Sequence, residues 1–281
     1  MTKLFDSFCS FGNRAGFKFP RLGDVKTVTE LVKEMEHFGI GKALVMPPPP
    51  KSYHAGNQDH LYNDLVKENN IFLRLPLLPK HGKSFSGYPE LELDRNYLID
   101  NKIKAVSLHP LRDKFPLSDW VLGDLLKELN KMKMVTVLNI AEISPHTYSP
   151  FADRMVDLVG GNNNAGNYYW DKVHELACKY PGIPFVLARL TGDSGRYRTM
   201  INQILEKHDN IYIELSHNHC LDAIEDLVSG DKIEKILFGT NLPIQDPGQA
   251  VAQLNYSDIS QKDRERIGSG NLERIIGEEE I

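Results

Sequence analysis

A single closed (β/α)8 barrel is the fold class this sequence predicts, and three observations predict it. Eight short apolar runs recur along the chain, each rich in Leu or β-branched residues, as parallel strands covered on both faces tend to be. A helical pattern lies between each run and the next, and a strict strand-then-helix alternation describes an α/β architecture. No composition shift or Ser/Gly-rich linker splits the 281 residues, which are enough for one substantial core. Alternation alone does not show closure, so a doubly wound open sheet is the structural alternative.

The strands are expected at Leu4–Phe8, Ala43–Met46, Ile71–Leu75, Ala105–Leu108, Val135–Leu138, Phe185–Ala188, Ile211–Leu215 and Ile236–Phe238. The helices between them are expected at Val28–Phe38, Asp59–Glu68, Leu91–Asp100, Trp120–Met132, Tyr168–Lys179, Tyr197–Lys207 and Leu221–Ser229. Three further helical patterns, Gly248–Leu254, Gln261–Ile267 and Asn271–Ile276, make residues 248–281 a C-terminal helical segment packed on the barrel. Residues 1–281 thus read as one domain. Two long loops follow strands: 47–60, which opens with four prolines and carries Tyr53, His54 and His60, and about 142–167, with its Gly160-Gly-Asn-Asn-Asn-Ala-Gly166 stretch. Strand-following loops lie at the C-terminal mouth, where barrels of this class build their sites.

Composition narrows the partners. A net charge of −5 and an isoelectric point near 6.1 argue against nucleic acid or a membrane surface as the main partner. No run approaches the 18 apolar residues of a membrane span, and the chain enters a strand pattern without a signal-peptide core. Cys9, Cys178 and Cys220 are few, odd in number and widely spaced, which reads as reduced thiols in a cytoplasmic protein. The sequence leaves open whether copies assemble as a homo-oligomer. It holds no Gly-x-Ser-x-Gly elbow and no phosphate-cradling Gly-x-x-x-x-Gly-Lys, and the Gly160 loop lacks the strand-then-helix setting of a dinucleotide site.

The segment Lys235-Ile-Leu-Phe-Gly-Thr-Asn-Leu-Pro243 carries the most information: a buried strand stops abruptly at a polar loop. It resembles the last barrel strand of the amidohydrolase-2 family of metal-dependent hydrolases and decarboxylases, Ile-Leu-Phe-Gly-Ser-Asp-x-Pro. Further segments resemble that family in order: Leu4-Phe-Asp-Ser-Phe-Cys-Ser-Phe-Gly12, Val106-Ser-Leu-His-Pro110, Thr136-Val-Leu-Asn-Ile-Ala-Glu142, Phe185-Val-Leu-Ala-Arg-Leu-Thr-Gly192, Asn210-Ile-Tyr-Ile-Glu-Leu-Ser216 and the stretch 263–277. The resemblance implies an amidohydrolase-like (β/α)8, or TIM, barrel with a mouth that binds metal. It also aligns the family's metal-ligand positions with Phe8, Ser10, Asn139, Arg189 and Asn241. Phe8 offers no donor, neutral amides are poor metal ligands, and Arg189 puts a permanent cation where the metal would sit. The expectation is therefore no metal cofactor at the family's usual position. Asp6 matches the family's Asp before the ligands and is expected to hydrogen-bond within the barrel base. Cys9 is expected to be a packed thiol.

The substitutions share a chemical sense. Losing a dication and gaining Arg189 keeps positive charge in the mouth, while Asn139 and Asn241 hydrogen-bond without ionising. Arg189, Asn139, Asn241, Arg14 and His219 are the candidate substrate-binding residues, for a small anionic, carboxylate-bearing molecule. Arg74 and Arg196 read more readily as structural partners of acidic residues. His109, Glu142 and His217 are the candidate catalytic residues, since imidazole titrates near neutral pH and His109 ends the fourth strand. His217-Asn-His219 also has the spacing for a relocated metal site. Three functions follow: a metal-independent hydrolase or lyase, an inactive barrel kept as a small-molecule binder or interaction protein, and a hydrolase with a relocated metal.

Overall fold

The computed structural model describes residues 3–11, 27–47, 51–52, 56–57, 59–77, 98, 100–113, 115–139, 164–190, 195–218, 222–230 and 232–277. Eight parallel strands form one sheet: β1 (Leu4–Ser10), β2 (Ile40–Met46), β3 (Ile71–Leu77), β4 (Ile103–Leu108), β5 (Val135–Asn139), β6 (Phe185–Ala188), β7 (Ile211–Glu214) and β8 (Ile236–Leu237). Neighbours in the sheet are neighbours in sequence, as right-handed crossovers through helices produce. The ends of the sheet meet: the Ser7 amide donates to the Phe238 carbonyl at 2.9 Å, Asn241 to Phe8 at 2.7 Å and Ser10 to Leu242 at 2.8 Å. These bonds bring the sheet to a nearly closed barrel, so the open-sheet alternative is set aside.

Strand residues alternate between two apolar environments. Leu73, Leu75, Val106, Leu108, Leu138, Leu187, Ile211 and Ile213 join the layer between strands and helices. Their neighbours Phe5, Leu44, Phe72, Ala105, Val135, Val137, Val186, Ala188 and Tyr212 form a separate cluster inside the barrel. This alternation is the period of two that a strand imposes on its side chains. Towards the strand C-termini the inward residues change character: Phe72 is followed two residues on by Arg74, Ala105 by Ser107, Val137 by Asn139 and Tyr212 by Glu214. The barrel is greasy at its base and polar at its mouth.

Around the sheet run α1 (Val28–His37), α2 (Asp59–Lys67), α3 (Pro110–Asp113), α4 (Asp119–Met132), α5 (Asn164–Lys179), α6 (Gly195–Lys207) and α7 (Ala223–Ser229). α1 begins with a reciprocal cap: Thr27 Oγ1 accepts the Glu30 amide and Glu30 accepts the Thr27 amide. It then buries Val28, Leu31 and Met35 on one stripe. The tail adds α8 (Pro247–Tyr256), α9 (Gln261–Glu265) and α10 (Asn271–Ile276), with a π-helical turn at Arg266–Gly270 where one continuous helix to Ile267 was expected. Leu272 and Ile276 complete the interior cluster beside Phe5 and Leu237, and Asn271 donates to the Ile233 and Ile236 carbonyls. The tail thereby covers part of the barrel base. All but residues 98 and 100 of the expected helix Leu91–Asp100, half of the loop 47–60 and most of the loop 142–167 lie outside the described residues. No helix among those described is long and apolar enough to cross a membrane.

Candidate active site at the barrel mouth

Phe8, Cys9, Ser10, Met46, Arg74, His109, Asn139, Arg189 and Asn241 line a recess at the strand C-termini that is partly open to solvent. Each of the central polar groups ends or directly follows a strand. His109 follows β4 and Asn139 is the last residue of β5, while Arg189 and Asn241 follow β6 and the β8 region. The last two adopt left-handed backbone conformations, φ 62° and 56°. Such a φ is uncommon outside glycine and costs about 1 kcal/mol or more. At Arg189 the strained turn is held because its amide donates to Glu214 Oε1 at 2.6 Å. At Asn241 the amide donates to the Phe8 carbonyl, and the Asn241 carbonyl accepts from Ile244.

Two buried carboxylates brace the mouth from beneath. Glu214 accepts from the Arg189 amide, the Ser216 amide at 2.7 Å and the Ser216 hydroxyl at 2.9 Å. Burial pushes its carboxyl above the usual range, and the bonds from Arg189 and Ser216 pull it partly back. Asp6 accepts from the Phe8 amide at 2.9 Å, the Thr240 amide at 3.0 Å and, in a short bond, the Thr240 hydroxyl. Burial raises this carboxyl too, against the pull of the Thr240 hydroxyl and the Phe8 and Thr240 amides, with Arg74 adding less. The placement corrects the expectation that Asp6 works in the barrel base. The extra residue that offsets β1 against β2 between Asp6 and Cys9 aims it at the loop after β8 instead.

Two guanidinium groups line the recess. Arg74 is 1% exposed, lies over the Phe8 ring at 4.5 Å from the ring centre, and donates to the Cys9 carbonyl at 3.1 Å. The Phe8 face partly compensates the buried guanidinium. Arg189 adds a second cation. His109 is buried and its Nε2 lies 3.1 Å from Ser107 Oγ. Asn139 Oδ1 and Asn241 Nδ2 are buried without a hydrogen-bond partner among the described residues, although Asn139 and Asn241 are only 2% and 3% exposed. Asn139 thus offers an acceptor and Asn241 a donor.

Of the residues expected to form the site, His109, Asn139, Arg189 and Asn241 come together. His217 does not line the recess; its Nδ1 lies 3.0 Å from Ser216 Oγ, on the segment after β7. Glu142, Arg14 and His219 lie outside the described residues, as do Arg196's side chain and the His219 half of the relocated metal site. Arg74, expected as a structural partner of acidic residues, also lines the recess. The signal was present: Arg74 stands two residues after the inward Phe72, so it must face inward as well. The bracing of Glu214 carried no sequence signal, because it depends on Gly239, where an added Cβ would lie 2.5 Å from Glu214 Oε2. Cys9 is a buried free thiol whose titration burial pushes well up.

No protein-family model matches the sequence, and no curated protein matches it. Solved structures do match. A 2,6-dihydroxybenzoate decarboxylase complexed with 2,6-dihydroxybenzoate superposes with a TM-score of 0.69 at 15% identity, covering 99% of this chain and 100% of that one. A dihydroxybenzoic acid decarboxylase from Polaromonas sp. JS666, with bound manganese and the inhibitor 2-nitroresorcinol, gives 0.67 at 15% identity, covering 99% and 97%. An amidohydrolase II protein gives 0.68 at 12% identity, covering 98% and 100%. The neighbours are amidohydrolase-type barrels, in agreement with the segment resemblance, and at these identities the likeness shows a shared fold.

The manganese corrects one expectation. Barrels of this fold do carry a metal, so the substitutions at Phe8, Ser10, Asn139, Arg189 and Asn241 do not by themselves make the protein metal-free. The donors at this mouth nevertheless match such an ion poorly. Manganese favours carboxylate, carbonyl and water oxygens with imidazole. Here the described carboxylates, Asp6 and Glu214, are committed to backbone amides, and Arg74 and Arg189 share the recess with one imidazole and two neutral amides.

Proposed function

We propose that the barrel mouth takes a small carboxylate-bearing molecule and that the protein is a hydrolase or lyase of such molecules. The observation that carries this reading is the pairing of two guanidinium groups with two buried, unsatisfied amide atoms in one recess. A buried polar atom left unbonded costs about 1–3 kcal/mol, and a ligand that bonds both amides removes that cost. A carboxylate supplies charge for Arg189 and Arg74 and acceptors for Asn241; a neighbouring hydroxyl supplies the donor that Asn139 lacks. The solved decarboxylase that holds 2,6-dihydroxybenzoate lends weight to a hydroxylated carboxylate as the ligand type.

His109 is the proton carrier in this proposal, with Glu142 and His217 as further candidates. In a decarboxylation the bond to the carboxyl carbon breaks, carbon dioxide leaves, and the resulting carbanion takes a proton from the His109 imidazolium. In a hydrolysis the neutral imidazole removes a proton from attacking water. Incubating the protein with hydroxybenzoates and aliphatic carboxylates, followed by chromatography, tests this: turnover is expected, and His109→Gln removes it while retaining binding. A second reading, a barrel that binds without turnover, is favoured by one fact. Among the described residues lining the recess, His109 is the only one suited to proton transfer near neutral pH. Binding without product formation by the wild-type protein identifies that case.

A further inference from the structure

The geometry points to a zinc-class metal site on the outside of the barrel, formed by His174, Cys178 and His208. The ligand atoms of these three residues lie within 4.8 Å of one another. His174 and Cys178 sit one turn apart on α5, so both side chains share a face of that helix. His208 directly follows α6, the next helix around the barrel, and its amide still bonds the Ile204 carbonyl. His174 Nδ1 lies 2.7 Å from His208 Nε2, and Cys178 Sγ lies 3.9 Å from His174 Nδ1.

Chemistry and packing both favour an ion here. One thiolate and two imidazoles are the donors that zinc and its neighbours in the first transition row take, and three protein ligands leave a fourth position for water. Zinc–nitrogen and zinc–sulfur bonds of about 2.0–2.1 and 2.3 Å set tetrahedral N···N and S···N separations near about 3.3 and 3.6 Å. The present contact is the metal-free hydrogen bond between the rings; binding requires them to part by roughly 0.6 Å and the sulfur to approach by roughly 0.3 Å.

The supports are firm. Asn210 donates to the carbonyls of Ala177, Tyr180 and Ile183, tying the end of α5 to the start of β7. Lys235 donates to the carbonyls of Leu205 and His208, fixing the end of α6. Cys178 is exposed, so an ion has a path from solvent. Helix C-termini lead into strand N-termini, which places this cluster at the end of the barrel opposite the recess. The site is therefore independent of the proposed carboxylate site. Binding balances simply: Cys178 loses its thiol proton to solvent, and the proton shared between the imidazoles moves to an outer ring nitrogen.

Cobalt(II) titration of the full-length reduced protein tests the site. One equivalent is expected to give a thiolate-to-cobalt charge-transfer band, which zinc displaces. Cys178→Ser is expected to abolish the band, Cys220→Ser to preserve it, and His174→Gln or His208→Gln to weaken cobalt binding at least tenfold. Should the buried His208 variant fail to fold, Cys178→Ser and His174→Gln decide the matter. Absence of a thiolate band in the wild-type protein, or a band that persists in Cys178→Ser, overturns the proposal.

Discussion

Gly239 shows how a single methyl group governs the mouth. A Cβ there would stand 2.5 Å from Glu214 Oε2 and 3.2 Å from Ser7 Oγ, so Gly239→Ala must displace the carboxylate that holds the Arg189 amide. Overpacking of this kind costs about 1–3 kcal/mol, and a loss of that size in chemical denaturation is the expected outcome. Glu214 itself has a pH signature. Its folded pKa is raised above the ordinary 4.5 by burial, so the stability it contributes is fully present below that value and is lost as pH rises through the folded pKa. Glu214→Gln does not titrate and gives up one of three accepted bonds. Its penalty relative to wild type should shrink as pH rises above about 4.5. Melting curves across that range check the sign; a penalty that grows with pH would mean the carboxylate is held ionised.

At the scale of elements, the strands were legible because burial and period agree. Apolar runs such as Val135–Leu138 mark position, and parity then sorts side chains between the two layers, carrying Asn139 and the position of His109 to the mouth. Helix ends were legible where side chains cap them. Thr27→Ala, which breaks the reciprocal cap of α1, is expected to cost about 1 kcal/mol in urea denaturation. Other features had no local signal. β8 spans two residues, and beyond it the closure on β1 is made by single bonds: the Phe238 and Leu242 carbonyls accept from the Ser7 and Ser10 amides, and the Asn241 amide donates to the Phe8 carbonyl. The contact of His174 and Cys178 with His208 arises from packing of α5 on α6, 30 residues or more apart in sequence, and spacing could not reveal it. Removing the Asn210 amide, which joins that helix pair to the sheet, should lower the melting temperature more than removing an exposed side-chain bond, because three carbonyls lose their donor.

For the whole molecule, the net charge of −5 contrasts with a mouth that gathers Arg74 and Arg189 and spends its described carboxylates on backbone bracing. We propose that a carboxylate is held there by those guanidinium groups. Calorimetric titration of 2,6-dihydroxybenzoate and its uncharged amide against the wild-type protein and Arg189→Met tests this most directly. The acid should bind and the amide should bind far more weakly. Arg189→Met should weaken the acid by about 2 kcal/mol, roughly thirtyfold, with an unchanged melting temperature. Equal binding of acid and amide, or acid affinity unaltered in Arg189→Met, would contradict a carboxylate held at this mouth.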